Sequence, residues 1–285
     1  MVMPIDRPGA ADYGRRMFDG RHTVTPLDVL PEVAEALAPE RERQLRRHLV
    51  VEALTVDPGP WDPAVDLGEP PYLGVLVFEG LLGREVSVDG SSVMELLGPG
   101  DLLRPLDRDG GDFPAVRCGI EWTVFEQARL ALLDRRATVV LAAFPEAIAA
   151  LLGRTVGRSH ALALHLAISH LRRIDSRLLA LFWHLADRWG RVSRDGVRVP
   201  VKLTHQSLAR LVGAQRPSIT TALSKLSASS ALIRQPNGTW LLGEPPPDEL
   251  ADVTRDNLAM LINSPAHRNG ASAGAAGKTV PAAAA

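Results

Sequence analysis

The chain has 285 residues, 46% of them hydrophobic, with 32 basic side chains against 33 acidic ones. It is long enough for two globular domains, and its near-zero net charge excludes a global attraction to DNA or to membranes, so any such attraction must be local. Its single cysteine, Cys118, excludes an intramolecular disulfide, a cysteine-ligated structural zinc and a four-cysteine iron–sulfur cluster within one chain.

Residues 1–26 mix proline, glycine and charge without a period and read as a loose lead-in. Asp6, Arg7, Asp12, Arg15 and Arg16 interrupt any apolar run there, so no secretion signal is expected. Residues 27–50 place Val33, Leu37, Leu45 and Leu49 among charges on either side of Pro39, which suits one or two surface helices. The pattern then changes to short apolar or alternating runs at 50–56, 72–78, 84–88, 92–97 and 115–133, the last long enough for two strands. Between them lie Asp57-Pro58-Gly59-Pro60, Glu79-Gly80, Asp89-Gly90, Gly98-Pro99-Gly100-Asp101 and Asp109-Gly110-Gly111. Regular short strands with Gly and Asp turns predict a small β-barrel or sandwich.

Helical periodicity returns after Ala137, and 139–152 is apolar enough to pack on the barrel. Leu164, Ile168, Leu171, Leu178, Phe182 and Leu185 keep a near-heptad spacing that fails where Asp175 takes an apolar slot. A core-facing helix and an intermolecular seam both explain that spacing. Asp175-Ser176 favours a break with a fresh N-cap, which predicts one long helix over about 157–174 and a second over about 176–189. The apolar stretch 148–168 contains Arg154, Arg158, His160 and His165, which a membrane-spanning helix would expose to lipid, so a cytoplasmic protein without a membrane partner is expected. His160, His165 and His170 each turn about 140° from the last on a helix and cannot share one metal. They are read as surface or interfacial residues. Residues 190–196 then read as a polar turn and 197–203 as a strand.

The stretch 203–242 reads as a helix, a tight turn, a second helix and a short hairpin. Leu208, Leu211 and Val212 form an apolar stripe behind Thr204, a favourable N-cap residue, and Gly213 supplies the turn. The second helix has room to start at Gln215 or Arg216, and Pro217 is tolerated because the N–H it lacks would be unpaired in a first turn. Ile219, Ala222, Leu223 and Leu226 make its buried side. The opposite side carries Pro217, Thr221 and Ser224, flanked by Ser218, Thr220 and Lys225, with Arg216 at the N-terminal end. These small, hydroxylic and cationic groups can meet base edges and phosphates, and the helix N-terminus adds N–H groups and a positive dipole end. Pro236-Asn237-Gly238 then predicts a two-stranded wing. From Gly196 to Gly243 the basic residues are Arg198, Lys202, Arg210, Arg216, Lys225 and Arg234, with no Asp or Glu, a charge of +6 inside a chain of net charge −1. That local field is the footprint of a nucleic-acid contact. Beyond it, 245–247 is a proline run, 249–262 has room for a short helix, and 264–285 should be disordered.

The order of barrel, long helix and winged head resembles the Crp/Fnr family of bacterial transcription regulators over roughly 49–243. LARLVGAQRPSITTALSKL (208–226), RLLALFWHLADRWG (177–190) and LLGPGDLLRP (96–105) carry the resemblance, the last as the family's Gly-Asp turn. The resemblance implies an α+β chain with an N-terminal double-stranded β-helix (jelly-roll) effector domain at 27–153, a dimerisation helix at 154–175, a winged helix-turn-helix at 176–245 and an extension at 246–285. It also implies a homodimer that reads palindromic double-stranded DNA and works with RNA polymerase, without catalysis. Gln215, Arg216, Pro217, Thr220 and Thr221 take the family's DNA-facing positions, and Thr204, Ser218, Ser224, Lys225, Arg234 and Asn237 complete the expected contact set. Members that bind cyclic nucleotide follow the Gly-Asp turn with a Gly-Glu pair and an Arg-Ser or Arg-Thr pair. Here Leu102-Leu103-Arg104-Pro105 and an acidic loop stand in that place, which disfavours a cyclic nucleotide and leaves the effector unassigned. The alternative is a cupin-like ligand-binding protein or enzyme whose winged head is a protein-interaction module.

Overall fold

The computed structural model describes residues 22–67, 73–106 and 116–243. The run Val75-Leu76-Val77 has no polar member because both faces of its strand are covered. Val75 and Val77 enter a core with Val56, Trp61, Leu82, Leu97, Trp122, Val124 and Leu130, while Leu76 enters a second core with Leu27, Leu30, Val33, Leu45, Leu141 and Phe144. A period of two thus separates a core lined by strands from one roofed by helices.

That strand is β4 (Gly74–Val88), and it pairs antiparallel with the equally long β7 (Gly119–Leu133). Around this pair lie β1 (His22–Val24), β2 (Val51–Val56), β3 (Gly59–Trp61), β5 (Ser91–Leu97) and β6 (Leu102–Leu103). The seven-stranded sheet has the order β1-β2-β7-β4-β5, with β3 on β7 and β6 on β4. Residues 22–24 are a strand on β2 rather than loose lead-in. Glu79-Gly80 is a bulge inside β4, not a turn between two strands, because the register shifts between Val77 and Leu82. Gly80 has φ +94°, and a Cβ there would lie 2.4 Å from the Gln127 carbonyl, so glycine lets the strand bend without leaving its ladder. The run expected to hold two strands is the single β7, whose first half pairs with β3 and whose second half pairs with β2.

Helices α1 (Pro31–Glu35) and α2 (Pro39–His48) lay Val33 and Leu45 on the outer core, and the short α3 (Pro63–Leu67) follows β3. The charges of α2 face outward, where Arg46 pairs with Asp28 and Glu42. Helix α4 (Arg135–Ala142) is capped by Asp134, whose Oδ1 accepts from the Ala137 N–H at 2.9 Å. The chain then bends by 115° into α5 (Pro145–Ser169), which Pro145 opens at the position where its missing N–H costs nothing. The long helix therefore starts well before 157 and ends before 174. Its 25 residues span roughly 37 Å.

The expected break comes at 170–173, earlier than Asp175-Ser176, and α6 (Ile174–Trp189) follows. Asp175 sits inside the first turn of α6 and not at its cap. Its Oδ1 accepts from the Ser176 N–H at 3.0 Å, and the Arg173 guanidinium holds its carboxyl below the usual carboxylate range. The chain divides into two compact units, with the boundary between Leu164 and His165.

In the second unit, α6 is followed by β8 (Arg191–Ser193), β9 (Gly196–Val199), α7 (His205–Val212), α8 (Arg216–Ala228), β10 (Leu232–Arg234) and β11 (Trp240–Leu242). The expected polar turn is a β8–β9 hairpin, and its second strand stops at Val199 because Pro200 has no N–H to donate. The sheet order is β10-β11-β9-β8. Leu178, Leu181, Phe182 and Leu185 of α6 are buried together with Leu208, Leu211, Ile219, Leu226 and Trp240. The Phe182 and Trp240 rings lie 4.8 Å apart. Among the described residues no single helix is long and apolar enough to cross a membrane, and α4 with α5 reaches that length only as a bent pair. The acidic loop at 107–115, the proline run at 245–247 and the possible helix at 249–262 lie outside the described residues.

Candidate nucleic-acid interface

Thr204 has the extended backbone of a cap, and its hydroxyl accepts from the Ser207 N–H at 3.1 Å and meets the Ser207 hydroxyl at 2.9 Å. This fixes where α7 begins. Gly213, at φ 61° and ψ 49°, closes α7 in the left-handed conformation that glycine adopts without penalty. Gln215 is extended and precedes α8, whose first turn has no side-chain cap and contains Pro217. The positive end of α8 is thus not closed by a side chain.

Helix α8 buries Ile219, Ala222, Leu223 and Leu226. Arg216, Pro217, Thr220, Thr221, Ser224 and Lys225 are exposed on its other side, with Ser218 half-buried at the edge. The hydroxyls point their hydrogens inward: Thr220 donates to the Arg216 carbonyl at 3.2 Å, Thr221 to Pro217 at 3.3 Å and Ser224 to Thr220 at 3.0 Å. Lone pairs, methyl groups and the cations of Arg216 and Lys225 remain for a ligand. In the wing, Arg234 is exposed, with its guanidinium 5.9 Å from the centre of the Trp240 ring. Asn237 shapes the wing tip, since its Oδ1 accepts from the Thr239 N–H at 3.1 Å and the Thr239 hydroxyl at 2.7 Å. The α8 residues of the expected set therefore share one face. Thr204 and Asn237 are occupied in holding backbone, and Arg234 stands on a separate element.

Three side chains of the head outside the expected contact set tie its elements together. His205, the first residue of α7, places Nδ1 3.0 Å from the Thr220 hydroxyl oxygen. Arg177 of α6 donates to the carbonyls of Leu171 at 2.5 Å, Val212 at 3.1 Å and Gly213 at 3.3 Å. His165, expected at a surface or an interface, is buried, and its Nε2 lies 2.7 Å from the Leu211 carbonyl. The terminal carbonyls of α7, which have no partner within their own helix, thus receive donors from the end of α5 and the start of α6. His184 lies beside His165 with ring centres 6.2 Å apart, and burial, then His165 and Arg188, push its pKa down to about 4. Burial pushes Asp187, one turn further on, up to about 6. No group of three His, Cys, Asp or Glu suited to a metal occurs among the described residues.

In the first unit, the Gly98–Asp101 turn is held from inside by Asp101, whose Oδ2 accepts from the Gly98 N–H at 2.8 Å. It is held from outside by α5: Arg154 donates to the carbonyls of Gly100 at 2.5 Å and Pro99 at 3.3 Å and pairs with Glu32. One turn later, Arg158 binds both Glu95 oxygens, at 2.7 and 2.8 Å, and the Leu102 carbonyl at 3.0 Å. The arginines that mark α5 as unfit for a bilayer are its fasteners to the Gly-Asp turn.

Residues 176–243 match the Crp-like helix-turn-helix domain. No curated protein matches the chain by sequence. Among solved structures, a cyclic nucleotide-binding domain containing protein from Listeria monocytogenes EGD-e is similar over 76% of this chain and 98% of its own, at 16% identity and a TM-score of 0.51. FixK2 from Bradyrhizobium japonicum is similar over 69% of this chain and 94% of its own, at 14% identity and a TM-score of 0.50. At these identities the likeness is one of fold. A capped α7, a glycine turn and an outward-facing α8 make residues 176–243 a Crp-like helix-turn-helix domain, in a chain that shares the fold of these two structures.

Proposed function

We propose that this protein is a cytoplasmic, homodimeric regulator that places α8 of each head in a major groove of a two-fold symmetric promoter site. The outward face of α8 carries this reading: Arg216, Pro217, Thr220, Thr221, Ser224 and Lys225 are exposed on a helix whose other side is buried, in a stretch without an acidic residue. Arg216 stands at the end of α8 that enters a groove, where a guanidinium meets guanine, and Lys225 further along meets phosphate. Thr204, Gln215 and Ser218 border that face, and Arg234 and Asn237 bring the wing to the backbone.

The long helix supports dimerisation. Leu152, Val156 and Leu166 of α5 are 64, 46 and 57% exposed. Gly153 and Gly157 lie between them, and a Cβ at either would meet nothing within 4 Å. A second α5 supplies a surface of matching character and can approach closely at the glycines. Two-fold pairing then sets the half-sites about one helical turn, roughly 34 Å, apart. At a promoter such a dimer acts on RNA polymerase by touching it or by excluding it. An effector held in the sheet domain acts on α5 through Arg154 and Arg158, and no catalytic step is needed. In equilibrium binding to a selected site, Arg216→Ala is expected to cost about 1 to 3 kcal/mol. Unchanged affinity would refute the assignment of α8 as the reading helix.

A further inference from the structure

The packing of α7 against α8 puts His205 and Thr220 in contact. The Thr221 and Ser224 hydroxyls are tied to carbonyls of their own helix. That of Thr220 is held twice, by the Arg216 carbonyl at 3.2 Å and by His205 Nδ1 at 3.0 Å. If its hydrogen goes to the carbonyl, the oxygen accepts from Nδ1–H. If the hydrogen turns to Nδ1, the oxygen still stays on the His205 side. His205 is itself anchored, because it follows Thr204, whose hydroxyl caps α7. Threonine has two heavy atoms on Cβ, and holding one of them selects a single staggered rotamer. With its oxygen held against protein, this exposed side chain has its Cγ2 methyl left to offer.

We propose that His205 is a specificity-determining positioning residue: it makes Thr220 present a methyl group to the major groove, so that the head prefers thymine at the base pair facing Thr220. The C5-methyl of thymine is the apolar group on the major-groove edge of the bases, and a threonine methyl is a suitable partner for it. A threonine free to rotate would offer either a donor or an acceptor and would discriminate poorly. This inference rests on the reading of α8 as the recognition helix and adds the base class that one of its positions selects.

The full-length chain is first used to select a site from random DNA. Binding is then measured on that site and on a copy in which deoxyuridine replaces the thymine facing Thr220 in both half-sites, which removes the methyl alone. Losing one buried methyl is expected to weaken binding about fourfold per half-site and about fifteenfold for the pair. In His205→Ala only the Arg216 carbonyl still holds the hydroxyl, and the deoxyuridine penalty shrinks. In the double variant His205→Ala/Thr220→Val it returns, because valine presents a methyl in any rotamer. A merely structural role for His205 would weaken both DNAs equally and would not be rescued by valine. If His205→Ala does not fold, His205→Asn, whose amide can donate in place of Nδ1–H, is expected to keep the penalty, and Thr220→Ser to lack it. A selected site without thymine at that position, equal binding of both DNAs by the unmodified chain, or an undiminished penalty in His205→Ala overturns the proposal while leaving α8 as the recognition helix. Failure to select any site overturns the recognition-helix reading itself.

Discussion

Asp187 of α6 offers a test of the head's interior that does not depend on DNA. Its Oδ1 is buried with no hydrogen-bond partner among the described residues, and burial raises its pKa from 3.8 to about 6. Without screening, that difference corresponds to about 3 kcal/mol favouring the protonated form. The residue is only half-buried, so solvent screening reduces the penalty on the charged form to about 1 to 2 kcal/mol. The folded-state pKa lies above the unfolded one, so the penalty is absent below about pH 4, grows between pH 4 and 6, and is complete above. Asp187→Asn should therefore be more stable than the unmodified chain by about 1 to 2 kcal/mol at pH 8 and equal to it near pH 4. For a domain of this size that is a gain of several degrees in the Tm of the head, at roughly 4 to 8 °C per kcal/mol. Neighbouring His184 works the other way: its pKa falls from 6.5 to about 4, so its neutral form costs stability as pH drops through that range. The two effects offset between pH 4 and 6 in the unmodified chain. The asparagine variant should expose the acid lability of His184 there. Urea titrations at pH 4, 6 and 8 measure the difference, and an asparagine variant that is less stable at pH 8, or whose gain is independent of pH, would show that the Asp187 carboxylate carries no burial penalty.

Three further outcomes are expected. Arg177→Ala removes the donor shared by the Leu171, Val212 and Gly213 carbonyls and should lower the stability of the head by about 1 to 3 kcal/mol, measured by denaturant unfolding; a cost below a few tenths would show that water replaces it without loss. Lys225→Ala should weaken binding to specific and random DNA alike and reduce the slope of log affinity against log salt by about 1, whereas a change in base preference would contradict a phosphate role. Leu166→Asp places a charge on the exposed apolar side of α5, where Leu166 is 57% exposed. It should convert a dimer to a folded monomer in sedimentation, and an unchanged oligomeric state would remove α5 from the interface.

The head was legible in the sequence because its signals are local. The cap at Thr204, the glycine turn at Gly213 and the buried stripe Ile219, Ala222, Leu223 and Leu226 each depend on residues within a turn or two. The same holds for the wing, which brackets Pro236-Asn237-Gly238. What stayed hidden depends on partners far along the chain. Glu79-Gly80 has turn chemistry, and only the opposing Gln127 and Ala128 make it a bulge in a continuous strand. Pro145 looks like a helix breaker but starts α5, because the bend falls before it. The histidine spacing of α5 gives no sign that His165 turns to the Leu211 carbonyl, which is 46 residues away. His205 beside Ser207 carries no recognisable pattern, since its partner Thr220 is on the next helix. The double hold on Thr220 is therefore a tertiary fact that local periodicity cannot supply.

Selection of binding sites from random DNA by the full-length chain decides whether α8 of two paired heads reads DNA through a single exposed face. A two-fold symmetric motif with half-sites one helical turn, roughly 34 Å, apart should be enriched, and lost when Arg216 is replaced by alanine. Enrichment of no motif, or of one without two-fold symmetry, would contradict that reading.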